Sequence, residues 1–197
     1  MDKKQLLEEL KSEGFSEDII KAFEQVKRED FVPENLKEFS YIDEPLSIGK
    51  GQTISQPYTI AFMLNLLELK DNLKILEIGS GSGYVLALIN ELSKNSKIYG
   101  IERIKELAEI SREVLKNKNT EIVHGDGSKG LKQHALYDRI LVSAAADKIP
   151  KKLLEQLNYN GILVIPVRNS IISIKKLYRE NKIKEYPGFV FVPLIEE

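Results

Sequence analysis

Residues 76–83 read Leu76-Glu77-Ile78-Gly79-Ser80-Gly81-Ser82-Gly83 and follow an apolar segment that begins at Lys74. The pattern predicts a strand over 74–78, a glycine loop, and a helix from Gly83 to Leu92. Glycines at such a junction let the chain turn sharply and approach a ligand closely. Because parallel sheets bind ligands beyond the carboxyl ends of their strands, the loop predicts a binding crevice. A tight turn without a ligand is the alternative.

Strand-like and helix-like segments alternate after this loop. The pattern predicts further strands at 97–102, 121–124, 137–143 and 161–166, and helices at 104–116 and 150–157. This order is typical of an α/β fold, with a doubly wound, mostly parallel, Rossmann-like sheet and helices on both faces.

The two ends of the chain show different patterns. Residues 3–27 predict N-terminal helices, the second of them capped by Ser16. Residues 40–57 show no hydrophobic periodicity and predict a loop of about 18 residues. Loops of this length in compact domains are usually functional. Residues 171–178 and 189–194 predict an antiparallel hairpin at the edge of the sheet.

The composition excludes several classes of protein. The 197 residues carry 29 basic and 30 acidic side chains, two His and no Cys. Without Cys there is no disulfide framework, thiolate zinc site or Cys nucleophile, and no metal site is expected. Near-neutral charge disfavours a dedicated nucleic-acid binder. No apolar run approaches 18 residues and no signal-peptide core is present, so we expect a single cytoplasmic domain that does not bind membranes.

Two carboxylates follow the strands next to the glycine loop. Glu102 ends the second predicted strand, and its two oxygens can accept both hydroxyls of a ribose. Arg103 beside it is placed in the same predicted nucleoside site, although a solvated strand end paired with Arg103 is the alternative. Asp126, between Gly125 and Gly127, suits an acceptor for an adenine amino group and equally suits a turn.

The glycine spacing narrows the choice of ligand. Counted from Gly79, a dinucleotide fingerprint needs its third glycine at the sixth position. This chain has Tyr84 at the sixth position and Gly83 at the fifth. This spacing is more similar to class I S-adenosylmethionine-dependent methyltransferases than to dehydrogenases. No Gly-Lys-Ser/Thr follows, which excludes a phosphate-binding P-loop.

Two features that the sequence lacks limit which chemical group could accept the methyl group. Residues 143–146 read Ser-Ala-Ala-Ala and lack the Asn/Asp-Pro-Pro-aromatic motif usual for methylation of exocyclic amines. Neither His124 nor His134 lies in the long loop, so no general base is evident there. A carboxylate is already ionised at pH 7 and could accept a methyl group without a general base, so it is the acceptor that the sequence favours.

Several separate stretches together resemble the protein-L-isoaspartate O-methyltransferase family over nearly the whole chain. They are residues 28–33 (REDFVP), 43–57 (DEPLSIGKGQTISQP), 77–84, 125–127, 137–138 and 191–194 (FVPL). The segment 51–55 (GQTIS) is far more specific than the glycine loop. The chain departs from the usual family pattern at Lys50, Gln56, Tyr58, Arg168 and Val190.

This resemblance implies methyl transfer from S-adenosyl-L-methionine to the free α-carboxylate of an isoaspartyl residue in a damaged protein. It implies an in-line displacement without a strong base, because an α-carboxyl group is already ionised. Ser55 would contact the reacting carboxylate with help from Thr53 and Gln52, beneath a cover formed by residues 46–54. The implied cofactor contacts are Gln52, Glu77, Gly79, Ser80, Gly81, Gly83, Glu102, Arg103, Asp126 and Gly127.

The resemblance also implies an organisation and partners. Residues 1–57 would form N-terminal helices and the active-site loop, 58–167 the cofactor-binding core, and 168–197 the C-terminal hairpin of one methyltransferase domain. Isoaspartyl proteins and peptides would be the partners of a monomer, and residues 190–192 could pair with an extended peptide.

Three alternatives stay open. The first is a methyltransferase of another acceptor, such as a small carboxylic acid or RNA. The second is a cofactor-binding protein that has lost peptide methylation, which Tyr58 and Val190 motivate. The third is a dehydrogenase, which Tyr84 disfavours.

Overall fold

A computed structural model describes residues 1–195 of the chain. The helices are α1 (Lys3–Ser12), α2 (Glu17–Gln25), α3 (Pro57–Leu66), α4 (Tyr84–Leu92), α5 (Lys105–Val114) and α6 (Lys151–Glu155). The strands are β1 (Leu46–Gly49), β2 (Gln52–Ile54), β3 (Lys74–Ile78), β4 (Lys97–Glu102), β5 (Thr120–His124), β6 (Tyr137–Val142), β7 (Leu157–Val167), β8 (Ser170–Lys175) and β9 (Lys182–Pro187). Short 3₁₀ segments occupy Arg28–Phe31, Glu34–Phe39 and Lys132–His134.

The main sheet has the strand order β5-β4-β3-β6-β7-β8-β9. Strands β3 to β7 are parallel, while β8 and β9 are antiparallel to their neighbours. The predicted fold class, a mostly parallel Rossmann-like sheet with an antiparallel edge, is therefore confirmed. The chain reverses the direction of strand addition between β3 and β6, and this is the point at which such sheets bind ligands.

Alternate residues of the central strands enter two separate cores. Ile75 of β3 and Leu141 of β6 join the core that also contains α1 to α5, whereas Leu76 and Ile140 join the core beneath α6. Both faces of the sheet are covered, which explains why the central strands are continuous apolar runs rather than alternating ones.

Residues 40–57, predicted as an irregular loop, contain the antiparallel hairpin β1–β2. The hairpin turns at Lys50 and Gly51, with φ of 55° and 71°. Positive φ at both central residues matches the twist of the flanking strands, as in a type I′ turn. Two strands of three or four residues are too short to produce a visible period in the sequence.

The antiparallel edge hairpin was predicted correctly, but its second strand was placed wrongly. The strand is β9 at 182–187, not 189–194. Its lysines Lys182 and Lys184 suit an exposed sheet edge, where charge opposes pairing with another chain. The apolar segment 189–194 instead turns back over the sheet, and Pro193 forms a parallel bridge with Ala145.

Two negative findings apply to residues 1–195. No helix there is both long and apolar enough to cross a bilayer. No group of three or more His, Asp or Glu in the same range is arranged to hold a metal ion.

Candidate active site

Two adjoining cavities lie beyond the carboxyl ends of β3, β4 and β6. Their walls share Ile48, Thr53, Gly79, Gly81 and Ser143. The empty space, counted together with the solvent at the open mouths, is about 490 Å³ for the first cavity and about 580 Å³ for the second. Because the two cavities share a wall, a group bound in one would lie next to a group bound in the other.

The glycine loop forms the floor between the cavities. Gly79, Gly81 and Gly83 all have positive φ, and the Gly79 amide donates to the Ile101 carbonyl at 2.8 Å. Gly83 lies on the far side of the loop and lines neither cavity. A Cβ added there would fall 2.7 Å from Ser111 Oγ on α5. The structure therefore gives Gly83 a role in packing the loop against α5, and it places Gly79, Ser80 and Gly81 in the wall.

Glu102 is buried at the end of β4 and lines the second cavity. Its Oε2 accepts a hydrogen bond from the Gly81 amide, and its Oε1 accepts one from the Ile104 amide, both at 2.9 Å. An ionised carboxylate can accept about four hydrogen bonds, so each oxygen retains capacity for one ligand hydroxyl. Glu102 thus couples the shape of the glycine loop to a position that suits two adjacent hydroxyls.

Glu77 is the buried carboxyl group of the first cavity. Its Oε1 accepts a hydrogen bond from Ser143 Oγ at 2.7 Å, whereas its buried Oε2 has no partner within residues 1–195. Burial raises the pKa of Glu77 to about 8, and the nearby Glu102 charge adds to the rise while the Ser143 hydrogen bond opposes it. An unpartnered carboxyl oxygen in a cavity wall suits a cationic group of a ligand.

Asp126 adopts the turn geometry that the sequence left open. Its Oδ1 accepts from the Ser128 amide at 2.8 Å, and its Oδ2 accepts from Ser128 Oγ at 2.9 Å and lies 3.2 Å from Lys129 Nζ. Asp126 lines neither cavity, whereas Gly127 and Arg103 line the second. A Cβ at Gly127 would lie 2.5 Å from Ile78 Cγ2, so only glycine fits this part of the wall.

The hairpin β1–β2 lies directly on the glycine loop. A Cβ built at Gly81 would be 3.1 Å from Ile48 Cδ1. At the turn, Lys50 Nζ lies 2.6 Å from Glu106 Oε1 in the first turn of α5. Both side chains are about half exposed, so this ion pair adds modestly to the docking that Ile48 provides.

The hairpin brings the three predicted residues of the GQTIS segment to the cavities. Ser55 lines the first cavity, Gln52 the second, and Thr53 both. Ser55 is only partly buried, so its side chain in the cavity wall is accessible to a ligand. The predicted catalytic pair therefore meets the predicted cofactor residues, other than Gly83 and Asp126, across a shared wall.

The C-terminal segment completes both cavities. Phe191 lines the first cavity, and residues 192–195 line the second. The Ala145 amide donates to the Val192 carbonyl at 2.8 Å, and the Leu194 amide donates back to Ala145 at 2.7 Å. Val190, immediately before Phe191 in the chain, is 87% exposed.

Sequence reasoning did not assign several residues to the site, among them the following four. Ser143 and Tyr84 line the first cavity, Ile104 supplies an amide to Glu102, and Arg28 bonds the carbonyl of Ser55. Ser143 ends a strand beside the glycine loop, and that position was a usable signal. Nothing in the sequence beyond the REDFVP segment indicated a role for Arg28, because its contacts are with backbone groups distant in sequence.

A family model described as protein-L-isoaspartate(D-aspartate) O-methyltransferase (PCMT) matches residues 1–197. The chain belongs to this family. It is 43% identical to the protein-L-isoaspartate O-methyltransferase of Methanococcoides burtonii over 198 residues, which cover 96% of this chain and 98% of that one.

Solved structures agree with this family membership. A protein from Plasmodium falciparum, assigned as a protein-L-isoaspartate O-methyltransferase and solved with S-adenosyl-L-homocysteine, superposes with a TM-score of 0.86 at 30% identity and full coverage of both chains. Another protein-L-isoaspartate O-methyltransferase gives a TM-score of 0.90 at 26% identity. That match covers 98% of this chain, which spans only 65% of the other.

Proposed function

We propose that the protein transfers a methyl group from S-adenosyl-L-methionine to the α-carboxylate of L-isoaspartyl residues in damaged proteins and peptides. One observation carries the proposal beyond family membership. The hairpin with the family-specific segment lies on the glycine loop, so Ser55 and Thr53 share a cavity with Glu77 and Gly79. Acceptor-binding and cofactor-binding groups thus border one space.

The residues of the two cavities fit this cofactor. The unpartnered Oε2 of Glu77 suits its ammonium group, and the remaining capacity of Glu102 suits the two ribose hydroxyls. Gly127 and Arg103 would border the adenine in the second cavity, and Asp126 would shape the turn that contains Gly127. When bound, S-adenosyl-L-methionine supplies an electrophilic methyl group on a sulfonium centre.

The first cavity offers hydroxyl donors and no strong base. Its wall within residues 1–195 contains Ser55, Thr53 and Ser143, and no His or Lys. A carboxylate acceptor needs no deprotonation at neutral pH, and neutral donors orient it without neutralising its charge. An amine or alcohol acceptor would need a base, and the one carboxyl group of this wall, Glu77, is assigned to the ammonium group of the cofactor.

The positions that depart from the family pattern lie outside the acceptor cavity. Tyr58 packs edge-to-face on Phe15 at 5.6 Å and stacks on Phe62 at 6.3 Å, and Lys50 pairs with Glu106. Neither Tyr58 nor Lys50 lines a cavity. Because these two departures from the family pattern leave the cavity walls unchanged, they favour an active methyltransferase over a protein that only binds the cofactor.

The acceptor peptide would approach along the C-terminal segment. Phe191 borders the first cavity, and Val190 next to it is exposed. We propose that an extended peptide pairs with the backbone of residues 190–192, as in strand addition. Its isoaspartyl carboxylate would then enter the first cavity towards Ser55.

The remaining assignments are part of the same proposal. We propose that residues 1–57, 58–167 and 168–197 act together as one domain, because all three supply walls of the cavities. We also propose that the enzyme works as a monomer in the cytoplasm, without nucleic acid. Sedimentation with and without substrate tests the monomer, and a dimer formed at working concentration would contradict it.

Ser55→Ala is expected to lower kcat about 10-fold, because one hydrogen bond to a charged group is lost. The affinity for S-adenosyl-L-homocysteine should stay within about two-fold, since Ser55 is assigned to the acceptor whereas Glu77 and Glu102 are assigned to the cofactor. Steady-state kinetics with an isoaspartyl peptide, combined with calorimetry, measures both quantities. Unchanged kcat would remove Ser55 from the mechanism.

The function itself is tested with methyl-labelled S-adenosyl-L-methionine and matched peptides that differ only in an isoaspartyl or aspartyl linkage. We expect label on the isoaspartyl peptide alone, as a base-labile ester. Parallel reactions contain RNA or small carboxylic acids. Label on either of these, or cofactor binding without any transfer, would contradict the proposed function.

A further inference from the structure

We propose that Arg28 is a positioning residue that holds Ser55 in place for the reaction. This inference rests on the proposed function of Ser55 as the group that contacts the acceptor. Arg28 lies outside both cavities, so it would not contact a reactant bound in either of them. Its effect on the reaction is therefore transmitted through the backbone of the active-site hairpin.

The Arg28 guanidinium joins the two ends of that hairpin. Nη1 donates to the carbonyls of Ser40 at 2.6 Å and Ile42 at 3.3 Å. Nη2 donates to the carbonyls of Glu44 at 3.0 Å and Ser55 at 3.1 Å. Residues 40–44 lead into β1 and Ser55 follows β2, so one side chain sets the separation of the two ends.

Asp43 restrains the residues that directly follow Ser55. Its Oδ1 accepts from the Tyr58 amide at 2.7 Å, and its Oδ2 accepts from Gln56 Nε2 at 3.4 Å. Ser55 is thus fixed through its own carbonyl and through the residues that follow it. With the backbone restrained on both sides, the direction of the Ser55 hydroxyl depends on the position of Arg28.

The surroundings of Arg28 are unusual for a residue that only fills the core. The side chain is fully buried, yet all four hydrogen-bond partners are neutral carbonyls. Burial lowers its pKa, and the nearby charge of Asp43 opposes this effect. A buried charge without a directly bonded carboxylate is costly, so stability alone does not explain why these carbonyls are bonded by a charged side chain. A planar fork that reaches four carbonyls serves geometry instead.

The chain contains a matched control for a purely structural role. Arg139 is also buried and donates to carbonyls, namely those of Leu67, Glu68 and Asp138. These contacts secure the end of α3, and Arg139 lines neither cavity. Arg28→Lys and Arg139→Lys therefore remove comparable networks, of which only one reaches Ser55.

The experiment compares both variants in the wild-type and Ser55→Ala backgrounds. It measures Tm, Kd for S-adenosyl-L-homocysteine, and kcat with an isoaspartyl peptide, normalised to the fraction that binds the nucleoside. We expect both lysine variants to lower Tm by a few degrees. Arg28→Lys alone should lower kcat about 10-fold with little change in Kd. In the Ser55→Ala background, Arg28→Lys should change kcat less than about two-fold, because the Ser55 hydroxyl that Arg28 positions is absent.

Three outcomes would overturn the inference. They are an equal loss of kcat for both lysine variants, an undiminished effect of Arg28→Lys without the Ser55 hydroxyl, and failure of Arg28→Lys to fold where Arg139→Lys folds. Wild-type transfer to the isoaspartyl peptide tests the proposed function separately. If the wild type used another acceptor, the same four variants compared on that acceptor would still decide the role of Arg28.

Discussion

Glu102→Ala is expected to weaken binding of S-adenosyl-L-homocysteine by on the order of 1–3 kcal/mol, roughly 5- to 150-fold in Kd. Two losses add up. The ribose hydroxyls lose a charged acceptor, and the amides of Gly81 and Ile104 lose the partners that shape the glycine loop. Calorimetry measures the change. Glu109→Ala on the exposed face of α5 is the control, because Glu109 lines neither cavity.

The two losses can be separated by removing the hydroxyls from the ligand. Wild type should bind S-adenosyl-L-homocysteine better than its 2′-deoxy analogue, and Glu102→Ala should bind the two almost equally. A preference that persists in Glu102→Ala would show that Glu102 acts only on the loop. Equal affinity of wild type and Glu102→Ala for the natural nucleoside would contradict the ribose assignment altogether.

Glu77 is expected to make the ligand-free protein less stable as the pH rises. The folded chain holds this proton with a pKa of about 8, against an ordinary value of 4.5. Between these values the folded state binds more protons than the unfolded state, so the free energy of unfolding falls with pH and levels off above pH 8. The slope approaches about 1.4 kcal/mol per pH unit, which amounts to a few kcal/mol in all.

Glu77→Gln supplies the comparison, because an amide resembles the neutral carboxyl group and does not titrate. Urea unfolding at several pH values should show a shallower slope for Glu77→Gln than for wild type between pH 4.5 and pH 8. Parallel curves would mean that Glu77 is already ionised in the folded protein.

The same proton should leave when the cofactor binds. If the Glu77 carboxylate pairs with the ligand ammonium group, binding of S-adenosyl-L-homocysteine at pH 7 releases nearly one proton. Calorimetry in two buffers of different ionisation enthalpy counts this proton, and Glu77→Gln should release none. Identical heats in both buffers would refute the pairing if the urea curves of wild type and Glu77→Gln also differ in slope, because Glu77 would then keep its proton in the complex.

Particular elements explain where prediction from the sequence succeeded. β3 and the glycine loop were predicted because apolar runs and glycine spacing are local signals. The hairpin β1–β2 was missed because its strands are too short for a period, and its order comes from Ile48 packing on Gly81. The segment 189–194 was wrongly predicted as the second strand of the edge hairpin because it is apolar, but Phe189 packs on Phe62 of α3 and Pro193 bridges to Ala145.

The candidate site divides in the same way. Glu77, Glu102 and the GQTIS segment could be named in advance, because each belongs to a short pattern with its own chemistry. The links among them could not. The Glu102 carboxylate on the Gly81 amide, Ser143 on Glu77, and Arg28 on the Ser55 carbonyl join residues far apart in sequence.

The sequence by itself determined the fold class, the family and the residue types at the two cavities, because periodicity and motif spacing are properties of neighbouring residues. Tertiary structure alone decided that the hairpin lies over the glycine loop, that Gly83 packs against α5, and that Arg28 restrains Ser55. These features depend on burial and on hydrogen bonds between segments that only folding brings together.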